Sequence, residues 1–290
     1  MTAKPVVAAT DGSEESLRAV EWAASEAVRR GAGLQIVSAV SLPPVIGLQV
    51  RPDRDVVAHL IRAERDRALA AAATRAAEIA PGLLVGTEPL AGQPAHAVTS
   101  SGSGASMLVL GSRGSGGFAS LVLGSVSRYA AAHATCPVVV VRDGTAAVHR
   151  RVGIGIGDLD ACADSLSFAF EEAALRKASL VAIHARHMLQ FGVPRAGTAS
   201  PVPDTDAADA EDAALLQGLL DKWRHEYPEV RVSQDIIRSH PGRALVGLSA
   251  RADLVVIGRH AKHPGPQGPG SVRHAVLSHA LGPVVVVPSS

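Results

Sequence analysis

Short, largely apolar runs recur along the chain, and between them apolar residues return every three or four positions. The first run, Val6 to Thr10, leads into a stretch in which Leu17, Val20, Ala24 and Val28 have helical spacing. Ser13 opens this predicted helix, with Glu14 and Glu15 in its first turn, where carboxylates suit the positive end of the dipole. Leu34 to Val40 predicts a second strand. Ser41 to Pro52, with Pro43, Pro44 and Gly47, predicts a loop, and Asp53 to Ala80 a long helix rich in alanine and arginine. A third strand follows at Leu83 to Leu90, a helix at Pro94 to Ser101, a fourth strand at Ser106 to Leu110, a helix at Val126 to Ala134 and a fifth strand at Val138 to Val141. A strand that is apolar throughout is buried on both faces. Strands of that kind alternating with helices predict an α/β fold, a parallel sheet covered on both sides and doubly wound by right-handed crossovers.

The pattern occurs twice. Gly124-Ser-Val, His133-Ala and Pro137-Val-Val-Val-Val141 recur as Gly270-Ser-Val, His279-Ala and Pro283-Val-Val-Val-Val287, all at an offset of 146 residues, and Glu26-Ala27 recurs as Glu172-Ala173 at the same offset. A period of that size is a duplicated domain and not a solenoid. The polar and alanine stretch Asp143 to Arg150 predicts the boundary, giving domains at 1–143 and 150–290. The acidic run Asp204 to Asp212 reads as the solvated start of a long helix containing Leu215, Leu219 and Trp223.

Composition narrows the function. With 47% hydrophobic and 19% charged residues, 290 residues suffice for two cores. A net charge of +1 and 3% aromatic residues argue against a polyanion or stacked-base partner, so no nucleic acid is expected. No apolar run approaches the roughly 18–20 residues of a membrane helix, and no basic leader precedes a hydrophobic core, so a cytoplasmic chain without membrane contact is expected. Cys136 and Cys162 form no Cys-x-x-Cys pair and read as buried apolar fillers.

The candidate chemistry lies in Gly111-Ser-Arg-Gly-Ser-Gly-Gly-Phe-Ala-Ser-Leu-Val-Leu-Gly-Ser-Val126, where glycines fall between a strand and a helix. Free N–H groups at a helix start favour anions, glycine lets backbone approach a ligand, and Ser125 adds a hydroxyl as N-cap or donor. Gly111, two residues, Gly114, nine residues and Gly124-Ser125, with Asp11 just after the first strand, resemble the ATP-binding signature of the universal stress protein family. That resemblance covers the chain twice. It implies two tandem Rossmann-like five-stranded sheets of order 3-2-1-4-5, which places Asp11 beside Gly111. It further implies that ATP, with Mg2+ as its possible companion, contacts Ala9, Thr10, Asp11, Ala39, Leu110, Gly111, Arg113, Gly114, Ser115, Gly116, Gly117, Gly124, Ser125 and Val126, with Ala9 and the Ala39 backbone lining an adenine slot. Val138 to Val141 and Val284 to Val287 would be edge strands pairing antiparallel within or between chains, the latter making a homodimer. A cytoplasmic stress regulator with an unnamed protein partner follows from the same resemblance.

The second copy departs from the signature. Gly157 stands where the aspartate is expected, with Asp158 one position late, and the loop from Gly258 to Gly270 has Ala261 at the second glycine, one residue fewer, and Pro264, Pro266 and Pro269, which lack N–H groups. A weaker second site at Gly157, Asp158, Gly258, Gly270, Ser271 and Val272 is expected.

Other chemistries fit less well. A motor-type phosphate loop needs a lysine after its glycines, and Lys4 is the first copy's only lysine. Gly153, Gly155 and Gly157 alternate with isoleucine and read as strand residues with a close neighbour, not as a dinucleotide loop. Ser115 to Ser120 faintly resembles the loop of ATP pyrophosphatases, with alanine where an aspartate belongs. His184 with His187, and His260 with His263, lack metal-site spacing, and no Gly-x-Ser-x-Gly elbow exists. No acid lies between Gly111 and Ser127, and Asp11 is the one acid expected in the site, which argues against strong ATP hydrolysis. A slow ATPase or nucleotidyl-transferring enzyme and a nucleotide-free scaffold are the alternatives.

Overall fold

The computed structural model describes residues 3–39, 54–114, 123–142, 148–157, 159–185, 205–259 and 271–289. The first repeat runs β1 (Val6–Ala9), α1 (Glu14–Arg30), β2 (Leu34–Ser38), α2 (Arg54–Ile79), β3 (Val85–Pro89), α3 (Pro94–Ser101), β4 (Met107–Gly111), α4 (Ser125–His133) and β5 (Val138–Val141). The second runs β6 (Arg151–Ile156), a 3-10 turn (Leu159–Ala161), α5 (Ala163–Leu175), β7 (Ser179–Ala185), α6 (Thr205–Glu226), β8 (Val232–Ile237), α7 (Pro241–Ser249), β9 (Leu254–Gly258), α8 (Ser271–His279) and β10 (Val284–Val287). Two compact units result: Met1–Ala146 with Leu277–Pro288, and Ala147–Val276 with Ser289–Ser290.

In unit 1 the strands stand in the order β3-β2-β1-β4-β5, all parallel, the order that the resemblance implies. The valines of β10 complete this unit by pairing antiparallel with β5, Val284 opposite Val140 and Val286 opposite Val138. The expected edge pairing therefore takes place within the chain, and β10 occupies the side of β5 that would otherwise face a second copy. In unit 2 the parallel order is β8-β7-β6-β9. Central strands are fully enclosed: Val6, Ala8, Met107, Leu108 and Val109 have no exposed surface.

Helical periodicity located the helices well and their faces less well. In α1 the buried stripe runs through Leu17, Val20, Ala23, Ala24 and Ala27, whereas Val28 is 57% exposed, one position round the helix. In α6 it is Leu216 and Leu220 that are enclosed, with Trp223 stacked 5.9 Å from Phe170, while Leu215 faces solvent. Ser13 caps α1 by accepting from the Ser16 N–H at 3.3 Å, and Gly31 ends it in the left-handed conformation at φ 61°. His133 ends α4 by donating from Nδ1 to the Tyr129 carbonyl at 2.9 Å.

The glycines of β6 do what small strand residues do. A Cβ at Gly153 would overlap Leu248 of α7, and one at Gly155 would sit 2.6 Å from Leu245 Cδ1. The two leucines thereby reach the sheet surface. Gly155→Ala is expected to destabilise the protein by about 1–3 kcal/mol through overpacking, read as a lower denaturation midpoint.

Neither cysteine is in a disulfide, and both are buried. Burial pushes the Cys136 thiol from 9.0 up to about 11. Stability contributed by the neutral buried thiol is complete below the unfolded value of 9.0 and is lost as pH rises towards about 11. Iodoacetamide at neutral pH is expected to label Cys136 only in denaturant, checked by mass spectrometry.

Candidate functional site

At the carboxyl ends of β1 and β4 the chain leaves the sheet in opposite directions, to β2 on one side and β5 on the other. This is the switch point where doubly wound sheets bind ligands. Two helices begin here, α1 after β1 and α4 after β4, and both aim an amino end at the crevice.

The amino end of α1 is filled by its own turn. Asp11 Oδ1 accepts from the Ser13 amide at 3.1 Å and the Ser13 hydroxyl at 2.6 Å. Ser13 then caps the helix, so Asp11 shapes the cap without being it. Thr10, buried, accepts the Gly12 N–H through Oγ1 at 3.1 Å and shares a 2.9 Å hydrogen bond with Ser16 Oγ. Glu14 and Glu15 add negative charge in the same turn.

The amino end of α4 is different. Its N-cap is Gly124, in extended conformation, with no side chain to offer and no acid in the first turn. Ser125, expected as a possible N-cap, is instead the first helical residue. The Gly124 N–H donates to the Ser112 carbonyl at 2.8 Å, which ties together the chain on either side of residues 115–122 and removes that amide from the donors a ligand could use. The amides of Ser125, Val126 and Ser127 remain as the first-turn donors, and Gly124 caps none of them. Ser127, which sequence reasoning missed, is buried and donates from Oγ to the Gly111 carbonyl at 2.7 Å, locking α4 to the end of β4. Nothing in its spacing marks that role.

The three signature glycines have separate reasons. A Cβ on Gly111 would lie 2.8 Å from the Glu15 carbonyl oxygen and 3.1 Å from the Ser16 nitrogen, so this glycine admits the backbone of α1 and not a ligand. A Cβ on Gly114 would overlap Asp11 Oδ2, so it is Gly114 that Asp11 meets, while Gly111, beside which the resemblance placed Asp11, meets Glu15 and Ser16. Gly124 has ordinary room, its nearest contacts being Ser112 O at 3.5 Å and Arg113 Cα at 3.6 Å. No described residue demands glycine there.

Ala9 and Ala39, each 8% exposed, lie near the strand ends on one sheet face, since Ala9 is the register partner of Val37 and side chains alternate. Leu110 is enclosed beside them in β4. Arg113 is half-exposed and lies 3.7 Å from Glu15 Oε1. Glu15 corrects the expectation that Asp11 would be the one acid near the site, because folding brings α1 against the loop. Ser115, Gly116 and Gly117 lie outside the described residues.

Unit 2 has lost most of this. At the repeat offset of 146 the counterpart of Glu14 is residue 160, so α5 starts three residues late at Ala163 after the 3-10 turn. Cys162 is its N-cap and makes no side-chain cap bond. Among the described residues, exposed Gly157 has nothing near its missing Cβ, and Gly258 has Ser165 Oγ at 3.7 Å where Gly111 has backbone at 2.8 Å. His184 stands at the counterpart of Ser38, donating from Nδ1 to the Ile156 carbonyl at 2.9 Å with Nε2 3.6 Å from Asp212 Oδ2. An imidazole thus crosses the end of β6 where unit 1 has a small hydroxyl. Ser271 and half-buried Val272 begin α8. Arg273 there donates to the Arg259 carbonyl at 3.3 Å, and burial, then the charge of Arg259, lowers the pKa of its guanidinium. Asp158, Gly270, His187, His260 and His263 lie outside the described residues, and among those described no three His, Cys, Asp or Glu cluster as a metal site.

A sequence model of the universal stress protein family matches residues 2–142 and again residues 149–288. The chain belongs to the universal stress protein family. Universal stress protein Rv2005c of Mycobacterium tuberculosis is 32% identical over 302 residues, 98% of this chain and 97% of that protein. MT2052 of the same species is 33% identical over 307 residues, 97% of this chain and 94% of that protein. The crystal structure of a universal stress protein from Archaeoglobus fulgidus aligns over 99% of both chains with a TM-score of 0.71 at 18% identity, a likeness of fold.

Within this universal stress protein, the two outer glycines of the loop separate by experiment. Gly111→Ala is expected to cost about 1–3 kcal/mol because backbone must move, and Gly124→Ala less than about 0.5 kcal/mol, both from chemical denaturation.

Proposed function

We propose that this universal stress protein is a nucleotide-dependent binding module whose first domain holds one adenine nucleotide, with ATP the leading candidate. The phosphates lie on the amino end of α4, against the amides of Ser125, Val126 and Ser127, and the base lies beside Ala9 and Ala39. The observation that carries this reading is the contrast between the two helix ends at one switch point: α1 is capped and ringed by carboxylates, while α4 begins with a glycine, no cap and no acid. Asp11 at the rim of β1 takes the nucleoside end. ATP in solution carries Mg2+, and Asp11 and Glu15 are the rim carboxylates that such an ion would meet.

The second domain contributes no equivalent site in this reading, since its first-turn geometry is changed and His184 crosses the strand end. The nucleotide biases the preference of the protein for a partner in the cytoplasm. No helix of the described residues is long and apolar enough to cross a membrane. Homodimerisation through β5 is not part of the proposal, because β10 already occupies that edge.

Mass spectrometry of the small molecule released from denatured protein is expected to identify an adenine nucleotide, and calorimetric titration to return one site per chain. Gly124→Ala is expected to weaken binding about tenfold or more without changing the melting temperature, since the added Cβ meets the ligand and not the protein. Two equivalent sites per chain, or release of phosphate over many turnovers that Asp11→Ala abolishes, would replace this reading with a different one.

A further inference from the structure

The charges beside the α4 amino end offset part of the attraction that this helix end offers a polyphosphate. Among described residues, Asp11 and Glu15 bring carboxylates to the crevice, Arg113 lies 3.7 Å from Glu15 Oε1, and Arg128 stands exposed in the first turn of α4. The sequence from Ser115 to Val122 adds no charged residue. Glu15 does two things there. It pairs with a guanidinium that a phosphate would seek, and it places a carboxylate beside Arg113, whose Cα lies 3.6 Å from the missing Cβ of Gly124 at the start of α4. Its position is not accidental drift of a long side chain, because the Glu15 backbone is held against Gly111 at the end of β4.

We propose that Glu15 is a specificity-determining residue that discriminates among nucleotides by phosphate charge, narrowing the preference for the triphosphate over the monophosphate without reversing it. The proposal rests on the assignment of a nucleotide to unit 1. Each added phosphate charge increases repulsion from Glu15, and each must also compete with Glu15 for Arg113. Burial sharpens the effect: the Glu15 side chain is 27% exposed and Arg113 is 42% exposed, so the pair is screened less than two free surface groups.

Glu15→Gln keeps the shape of the side chain and removes its charge. Calorimetric titrations of the full chain and this variant with ATP and with AMP, in EDTA and low salt, test the idea. The variant is expected to bind ATP about tenfold more tightly and AMP about threefold more tightly, from Coulomb energies at an effective dielectric near that of a wet surface. The change in the ATP-to-AMP affinity ratio is expected to shrink in about 0.5 M salt, a response that a merely structural role would not produce. If both nucleotides bind and the ratio is the same in the two proteins, the role given to Glu15 is wrong and the nucleotide site stands. If neither nucleotide binds either protein, the site assignment fails and takes this proposal with it.

Discussion

The contact on which unit 1 depends is one of backbone against backbone. Gly111, the last residue of β4, meets the first turn of α1 with a spacing of 2.8 Å from its missing Cβ to the Glu15 carbonyl oxygen. No side chain could stand there. The contact draws the start of α1 over the end of the neighbouring strand, and Thr10, Asp11, Ser13 and Ser16 then share their hydrogen bonds in the space that remains. From the same strand end, the Gly111 carbonyl accepts from Ser127 and anchors α4. One glycine therefore sets both helix starts that frame the crevice, and it does so without touching a ligand.

Which helix end can take an anion follows from what that arrangement leaves over. Both ends carry the positive pole of a dipole, but α1 spends its donors and its field on Ser13, Asp11, Glu14 and Glu15, whereas α4 begins at a residue with no side chain. The duplication shows the dependence from the other side. Unit 2 keeps the parallel strand order, because apolar strands and crossover handedness are robust to local change. Among the described residues it does not keep the close contact: Gly258 has a serine hydroxyl at 3.7 Å, α5 begins after a 3-10 turn, and His184 lies across the strand end. Sheet architecture and site chemistry have thus parted within one chain.

Much of this was legible in the residues themselves. The apolar runs marked every strand of the first repeat, the offset of 146 marked the duplication, and the alternating glycines of β6 read correctly as strand positions with a close neighbour. The errors have a common form. Val28 and Leu215 satisfy helical spacing yet face solvent, because spacing gives a periodicity and the packing partner chooses its phase. Ser125 looked like a cap because hydroxyl residues favour that position, but the hydrogen bond from Gly124 to Ser112 decides where the helix begins. Glu15 looked like dipole chemistry alone, and its meeting with Arg113 joins residues almost a hundred positions apart.

What the chain by itself determined is therefore the set of local preferences: which segments seek burial, which turns close on their own polar side chains, and that the whole pattern occurs twice. Only the tertiary structure decided that Gly111 serves a helix, that Glu15 stands beside Arg113, and that the valines of β10 seat themselves on β5. The reason is physical. Propensity and periodicity act over a few residues, whereas the fate of a buried donor, a charge or a strand edge is set by whatever distant segment the fold brings within a few ångströms of it.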